Sequence, residues 1–91
     1  MICELCTLER KINIYIEDDH YIIMDCDSCF VPMMVWKDHT MTLPDPDIGV
    51  MLESQLSSCA RMRWGDIPFF IDKKQRKIYD HLHWHARKIE E

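Results

Sequence analysis

Three histidines near the end of the chain alternate with apolar residues, and this alternation constrains the fold more than any other feature. The segment 81–87 reads His-Leu-His-Trp-His-Ala-Arg. Alternate side chains share a face on a β-strand, whereas on an α-helix the three histidines would scatter around the axis. The pattern therefore predicts a strand over 78–87, with His81, His83, His85 and Arg87 on one face and apolar residues on the core side.

The rest of the chain predicts four more strands and one helix. Runs rich in β-branched and aromatic residues indicate strands at 12–16, 21–24, 33–36 and 69–71. Between the third and fourth strands, apolar residues recur every three or four positions, which is one face of a helix. Asp45 supplies an N-cap, Pro46 the first helical position and Gly65 a C-terminal cap. Because short turns join antiparallel strands, we predict an α+β fold in which one main helix packs on a mostly antiparallel sheet of about five strands.

Length and charge narrow the class of protein. With 91 residues the chain is long enough for a single small domain, 1–91, with a thin core that metals or homodimer contacts would help to stabilise. Sixteen acidic and eleven basic residues give a net charge of −5, which argues against bulk nucleic-acid binding. The longest uncharged apolar run, 30–36, has seven residues, too few to cross a membrane. We therefore expect a cytoplasmic protein.

Two Cys-x-x-Cys pairs stand out among five cysteines and five histidines. In a reducing compartment such pairs indicate metal binding more often than disulfides. Nineteen residues separate Cys6 from Cys26, a spacing that fits four thiolates, Cys3, Cys6, Cys26 and Cys29, on one zinc ion.

A second zinc site uses the first cysteine pair with two histidines. Cys3 and Cys6 would join His39, at the end of the third strand, and His81, at the start of the histidine segment. Two thiolates and two imidazoles form an ordinary structural site that would tie three parts of a thin fold together. Spacing alone leaves both assignments open.

The three alternating histidines admit more than one role. They can be an exposed histidine-rich strand, or they can hold one metal ion together. Alternatively, one is a metal ligand, one is a nucleophile or base and one positions the reacting group. Arg87 on the same face can stabilise phosphate charge.

Several motifs together resemble the histidine-triad (HIT) superfamily of nucleotide hydrolases and transferases. The hallmark is His-x-His-x-His with apolar residues between, here at 81–86. The other matches, in order, are Cys3 with Cys6, the Tyr-Ile-Glu-Asp segment 15–18, Asp25 after the second strand, and the strand from Pro32 that ends in Lys-x-His at His39. The resemblance covers nearly the whole chain.

The resemblance implies a role for each of these residues. It implies a structural Zn²⁺ bound by Cys3, Cys6, His39 and His81. It implies that His83 attacks the α-phosphorus of a nucleoside phosphate and forms a covalent nucleotidyl-histidine. His85 would then hydrogen-bond a phosphate oxygen or the leaving group, and Asp25 would contact ribose hydroxyls. Homodimers are common in this superfamily.

One departure bears on the substrate. Many members carry a Gly- and Ser-containing phosphate loop before the triad, but 72–80 contains neither residue. A basic cluster, Lys73, Lys74, Arg76 and Lys77, offers phosphate-binding charge instead. The alternative function is a non-catalytic, zinc-stabilised module that binds a nucleotide or a protein.

Overall fold

The computed structural model describes residue 5 and residues 13–26, 30–74 and 81–89. Its elements follow the predicted order of three strands, one helix and two strands. They are β1 (Ile14–Glu17), β2 (Tyr21–Asp25), β3 (Pro32–Trp36), α1 (Pro46–Trp64), β4 (Phe69–Asp72) and β5 (His83–Lys88). The five strands form one sheet in the order β1-β2-β3-β5-β4, and every pairing is antiparallel. The predicted α+β class, with one helix on an antiparallel sheet, is confirmed.

The two faces of the sheet bury different apolar clusters. We call the side covered by α1 the helix face. Its cluster comprises Tyr21, Ile23, Met34, Trp36, Leu52, Leu56, Cys59, Ala60, Leu82, Trp84 and Ala86. On the opposite side a second cluster comprises Leu5, Ile22, Met24, Cys26, Met33 and Val35. Since residues alternate between faces along each strand, each buried strand supplies side chains to both clusters.

The register of β5 assigns its histidines to a face. His83 lies opposite Val35, and His85 lies opposite Met33. Directly paired residues in antiparallel strands project to the same side. His83, His85 and Arg87 therefore lie on the side away from α1, which we call the histidine face.

Both ends of α1 carry the predicted caps. Asp45 Oδ1 accepts a hydrogen bond from the Asp47 amide at 2.8 Å, and Pro46 opens the helix. At the other end Gly65 adopts a φ of 64°, which favours glycine, and its amide donates to the Arg61 carbonyl. No helix in the described part of the chain is long and apolar enough to cross a membrane.

The last strand begins later than the predicted range of 78–87. β5 starts at His83, so the prediction that His81 lies on the strand is wrong, and 78–80 lie outside the described residues. The backbone at Leu82 explains the difference, because its carbonyl accepts from the Trp36 amide and its amide donates to the Thr40 carbonyl. These bonds draw the segment toward the turn after β3, where His39 lies.

Candidate functional site

His83 and His85 lie side by side on the histidine face. Their ring centroids are 5.5 Å apart and the rings are nearly perpendicular, at 78°. Both side chains are almost buried, with 6% of His83 and 8% of His85 exposed. The structure thus brings together the two histidines predicted to carry the chemistry.

A backbone hydrogen bond sets the tautomer of His83. Its Nδ1 lies 2.8 Å from the carbonyl oxygen of His81, two residues earlier. A carbonyl oxygen only accepts, so Nδ1 carries the proton and the lone pair of the neutral ring resides on Nε2. Burial lowers the pKa of His83 below the ordinary value of 6.5. The hydrogen bond to the His81 carbonyl opposes this shift, and the charges of the neighbouring His85 and His81 rings reinforce it. The arrangement favours the neutral, nucleophilic imidazole near pH 7.

His85 presents a buried nitrogen to the same region. Among the described residues, nothing forms a hydrogen bond with its Nδ1. A buried polar atom left in this state costs free energy, so it calls for a catalytic role or for a partner such as water or an ion. His85 therefore has a ring nitrogen suited to a hydrogen bond with a phosphate oxygen.

His39 and His81 form a second pair, at the turn that follows β3. Their ring centroids are 5.1 Å apart with an interplanar angle of 72°, and His81 is fully buried. Nε2 of His81 donates to the carbonyl oxygen of Trp36 at 2.5 Å, which puts the lone pair of a neutral ring on Nδ1. Histidines that bind metal commonly donate their other ring nitrogen to a carbonyl in this way.

The spacing of this pair fits zinc. Two imidazoles bound to a tetrahedral zinc ion through Zn–N bonds of about 2.0–2.1 Å have ring centroids about 5 Å apart. The other predicted ligands, Cys3 and Cys6, lie outside the described residues, as does Cys29. Within the described residues no group of three or more His, Cys, Asp or Glu side chains is placed to hold a metal. Cys26, from the competing four-cysteine assignment, lies in the apolar cluster on the histidine face.

Asp25 lies on the helix face, away from His83 and His85. It is the last residue of β2 and pairs with Pro32 of β3. Asp25 is two residues after Ile23, so its side chain projects to the same side of the sheet, the side covered by α1. The structure therefore does not bring this predicted ribose-binding carboxylate to the face that carries the two histidines.

Three side chains donate hydrogen bonds to the buried Asp25 carboxylate, two from β1 and the residue before it and one from α1. Tyr15 Oη donates to it at 2.7 Å and Asn13 Nδ2 at 3.2 Å, and Arg63 of α1 completes the set. Arg63 is a residue of this cluster that the sequence pattern does not indicate. No local signal could have found it, because its partner is 38 residues away.

Arg87 lies on the histidine face, as predicted, with a partner that the sequence did not suggest. Its Nε donates to Oδ2 of Asp72 at 2.8 Å, and Asp72 is the residue directly opposite His85 in the β4–β5 pairing. Asp72 Oδ1 also accepts from the Lys74 amide at 3.0 Å. The Asp72 carboxylate is buried, while Arg87 is partly exposed.

Within the predicted basic cluster, the structure places the side chain of Lys73 away from the two histidines. Lys73 lies on the helix face, where Nζ is 2.9 Å from Glu53 and 4.8 Å from the centroid of the Trp84 ring. Arg76 and Lys77 lie outside the described residues. Of this cluster, Lys73 is therefore directed away from the two histidines.

Comparisons with known proteins add no relative to this picture. No family model, no curated protein and no solved structure matches the chain.

Proposed function

We propose that this protein is a HIT-like nucleotide hydrolase or nucleotidyl transferase that acts at an α-phosphate through a covalent nucleotidyl-histidine on His83. The observation that carries the proposal is the hydrogen bond between His83 Nδ1 and the His81 carbonyl. It holds the ring with its lone pair on Nε2, the state that a phosphorus nucleophile requires.

The proposed reaction has two displacements at phosphorus. In the first, the Nε2 lone pair forms an N–P bond while the bond between phosphorus and the leaving group breaks. The leaving group departs with the bonding electrons and takes up a proton from the solvent, and Nδ1 of His83 keeps its own proton, hydrogen-bonded to the His81 carbonyl. In the second, water or another acceptor forms an O–P bond and loses a proton, while the N–P bond breaks and neutral His83 is restored.

Neighbouring residues support the two displacements. His85, 5.5 Å from His83 between ring centroids, hydrogen-bonds a non-bridging phosphate oxygen or the leaving group. Arg87, on the same face, stabilises the phosphate charge. Asp25 is left out of the proposed site, since its carboxylate lies on the helix face and is hydrogen-bonded to Arg63.

A structural zinc ion completes the proposal. His39 and His81 would bind it with Cys3 and Cys6, and the 5.1 Å spacing of the two rings supports this assignment. Bound zinc would join the turn after β3 to the segment before β5. The His81 carbonyl that orients His83 would then belong to a residue anchored by the metal.

A second function is favoured by one observation. The segment 72–80 before the histidines contains neither Gly nor Ser, so the chain lacks the phosphate loop that many members of the HIT superfamily use. In that case the fold would bind a nucleotide or a protein and form no adduct on His83.

The deciding experiment offers the purified protein a panel of nucleoside phosphoramidates and dinucleoside polyphosphates. Nucleoside monophosphate release is followed by chromatography, and acid-labile adducts are sought by intact-protein mass spectrometry. We expect turnover and an adduct for the wild type, with both lost in His83→Asn. Equal inactivity of the two proteins across the panel, with nucleotide binding retained, would establish the binding module instead.

A further inference from the structure

The β4–β5 hairpin brings a carboxylate and a guanidinium to the edge of the histidine pair. Asp72 is directly opposite His85, and Phe70 is directly opposite Arg87. Paired residues on one face have Cβ atoms about 4.5–5.5 Å apart, and diagonal neighbours are within reach of long side chains. The diagonal contact here is the ion pair from Arg87 Nε to Asp72 Oδ2, at 2.8 Å.

The ion pair constrains how the guanidinium is oriented. The guanidinium is planar, so a hydrogen bond at Nε fixes the plane in which its two terminal nitrogens lie. Asp72 is itself held, because its other oxygen accepts from the Lys74 amide and its side chain is buried. Arg87 is therefore a cation in a defined orientation rather than a mobile surface charge.

Two other cations of this hairpin, Lys73 and Lys88, lie on the opposite face. Lys73 Nζ is 4.8 Å from the Trp84 ring centroid, and Lys88 Nζ is 5.7 Å from that of Trp64. Both tryptophans belong to the helix face or pack against its cluster. The alternation of β5 thus separates Arg87 from its neighbour Lys88 and places Arg87 beside His85.

We infer that Arg87 and His85 form the oxyanion site of this face and that Asp72 is the positioning residue that orients Arg87 toward a phosphate group. The buried Nδ1 of His85, which no described residue hydrogen-bonds, supplies the second, uncharged contact. This site takes the place of the Gly- and Ser-containing loop that the segment 72–80 lacks. The choice of phosphate as ligand rests on the proposed function, whereas the pairing of the residues does not.

The test is equilibrium binding of inorganic phosphate to the 91-residue chain, purified in the presence of Zn²⁺, measured by calorimetry at constant ionic strength. Loss of a charge-assisted hydrogen bond predicts about 10- to 100-fold weaker binding for Arg87→Ala. Loss of orientation alone predicts about 3- to 10-fold weaker binding for Asp72→Asn. Lys88→Ala removes the same charge one residue away on the other face and should change affinity by less than about 2-fold.

A double-mutant cycle separates positioning from mere stabilisation. If Asp72 acts through Arg87, Asp72→Asn has no further effect on phosphate affinity in the Arg87→Ala background. Asp72→Glu, which keeps the carboxylate, should restore part of the affinity and serves if Asp72→Asn folds poorly. Additive losses, or a wild type that does not bind phosphate, would overturn the inference.

The outcomes also distinguish this inference from the proposed function. If turnover depends on His83 but phosphate affinity is unchanged by substitution of Arg87 and Asp72, the oxyanion site is overturned and the proposed reaction is not. Phosphate binding that depends on Arg87, without any His83-dependent turnover, overturns the proposed reaction alone.

Discussion

The Nδ1 nitrogen of His83 donates to the backbone carbonyl of His81, and the same His81 directs its side chain toward His39. His81 thus takes part in both halves of the candidate site. Its carbonyl orients the nucleophile candidate His83, and its ring pairs with His39 at the proposed zinc site. The two halves are next to each other because Leu82 bonds to the turn after β3 before the chain enters β5.

Replacing His83 by asparagine should separate catalysis from folding. The amide of Asn can donate to the His81 carbonyl in place of Nδ1, so we expect the free energy of unfolding to change by less than about 1 kcal/mol. The variant has no nucleophilic nitrogen, and turnover should fall by about 1,000-fold or more. Urea unfolding and nucleoside monophosphate release measure the two effects.

His83→Ala provides the comparison. It leaves the buried carbonyl without its donor, so we expect about 1–3 kcal/mol lower stability as well as inactivity. An asparagine variant that turns over substrate at the wild-type rate would rule out His83 as the nucleophile.

His39→Ala should remove zinc, and Cys26→Ser should retain it. His39 is exposed, so its truncation leaves the core intact while removing one of four proposed ligands. We expect elemental analysis to give about one zinc per chain for the wild type and for Cys26→Ser, and little for His39→Ala. His20→Ala, which removes an exposed histidine stacked on Trp36, is the matched control. The reverse result, with zinc lost only in Cys26→Ser, would support the four-cysteine site.

Arg63→Ala should destabilise the fold without affecting the histidine face. The substitution leaves the buried Asp25 carboxylate with Tyr15 and Asn13 but without its cation. Since Arg63 is itself partly exposed, we expect a loss of about 1–3 kcal/mol, less than for a fully buried pair. Arg61→Ala, which removes only the cation above the Phe69 ring, should cost less than about 1 kcal/mol. Equal effects of the two substitutions in chemical unfolding would contradict this role for the ion pair.

Tyr15 should contribute to a loss of stability in alkaline solution. Burial, followed by the hydrogen bond to Asp25, raises the pKa of Tyr15 above its ordinary value of 10.0. The folded protein therefore keeps this proton while the unfolded chain releases it, so stability falls as pH rises above about 10. Below that pH both states are protonated and the effect disappears.

Tyr15→Phe isolates this contribution. Tyr21 also has a raised pKa, so part of the alkaline slope should remain in the variant. The free energy of unfolding, measured between pH 8 and about 11, should fall less steeply for Tyr15→Phe than for the wild type. Parallel curves would show that Tyr15 ionises alike in both states.

Most of the fold was predictable because its signals are local. The alternation in 83–87 and the spacing of apolar residues after Asp45 each reflect the geometry of one element, and both predictions are confirmed. The prediction for His81 was wrong because periodicity reports which residues alternate and carries no information on where a strand begins. The start of β5 is set by the backbone hydrogen bonds of Leu82 to Trp36 and Thr40.

The candidate site was predictable only in part. His83 and His85 share a face as a direct consequence of strand geometry, which a sequence displays. That Asp25 lies on the opposite face, joined to Arg63, depends on the register of β2 with β3 and on the position of α1. The pairing of Asp72 with Arg87 likewise depends on the register of β4 with β5.

By itself, then, the sequence determined the order of the elements, the caps of the helix and the shared side of the last strand that carries His83 and His85. These follow from interactions between residues a few positions apart. Only the tertiary structure decided which charges meet, since Asp25 and Arg63 are 38 residues apart and Asp72 and Arg87 are 15 apart. Such contacts arise when strands select a register and the helix selects a face, and that choice is made by the burial of the whole apolar surface rather than by any local pattern.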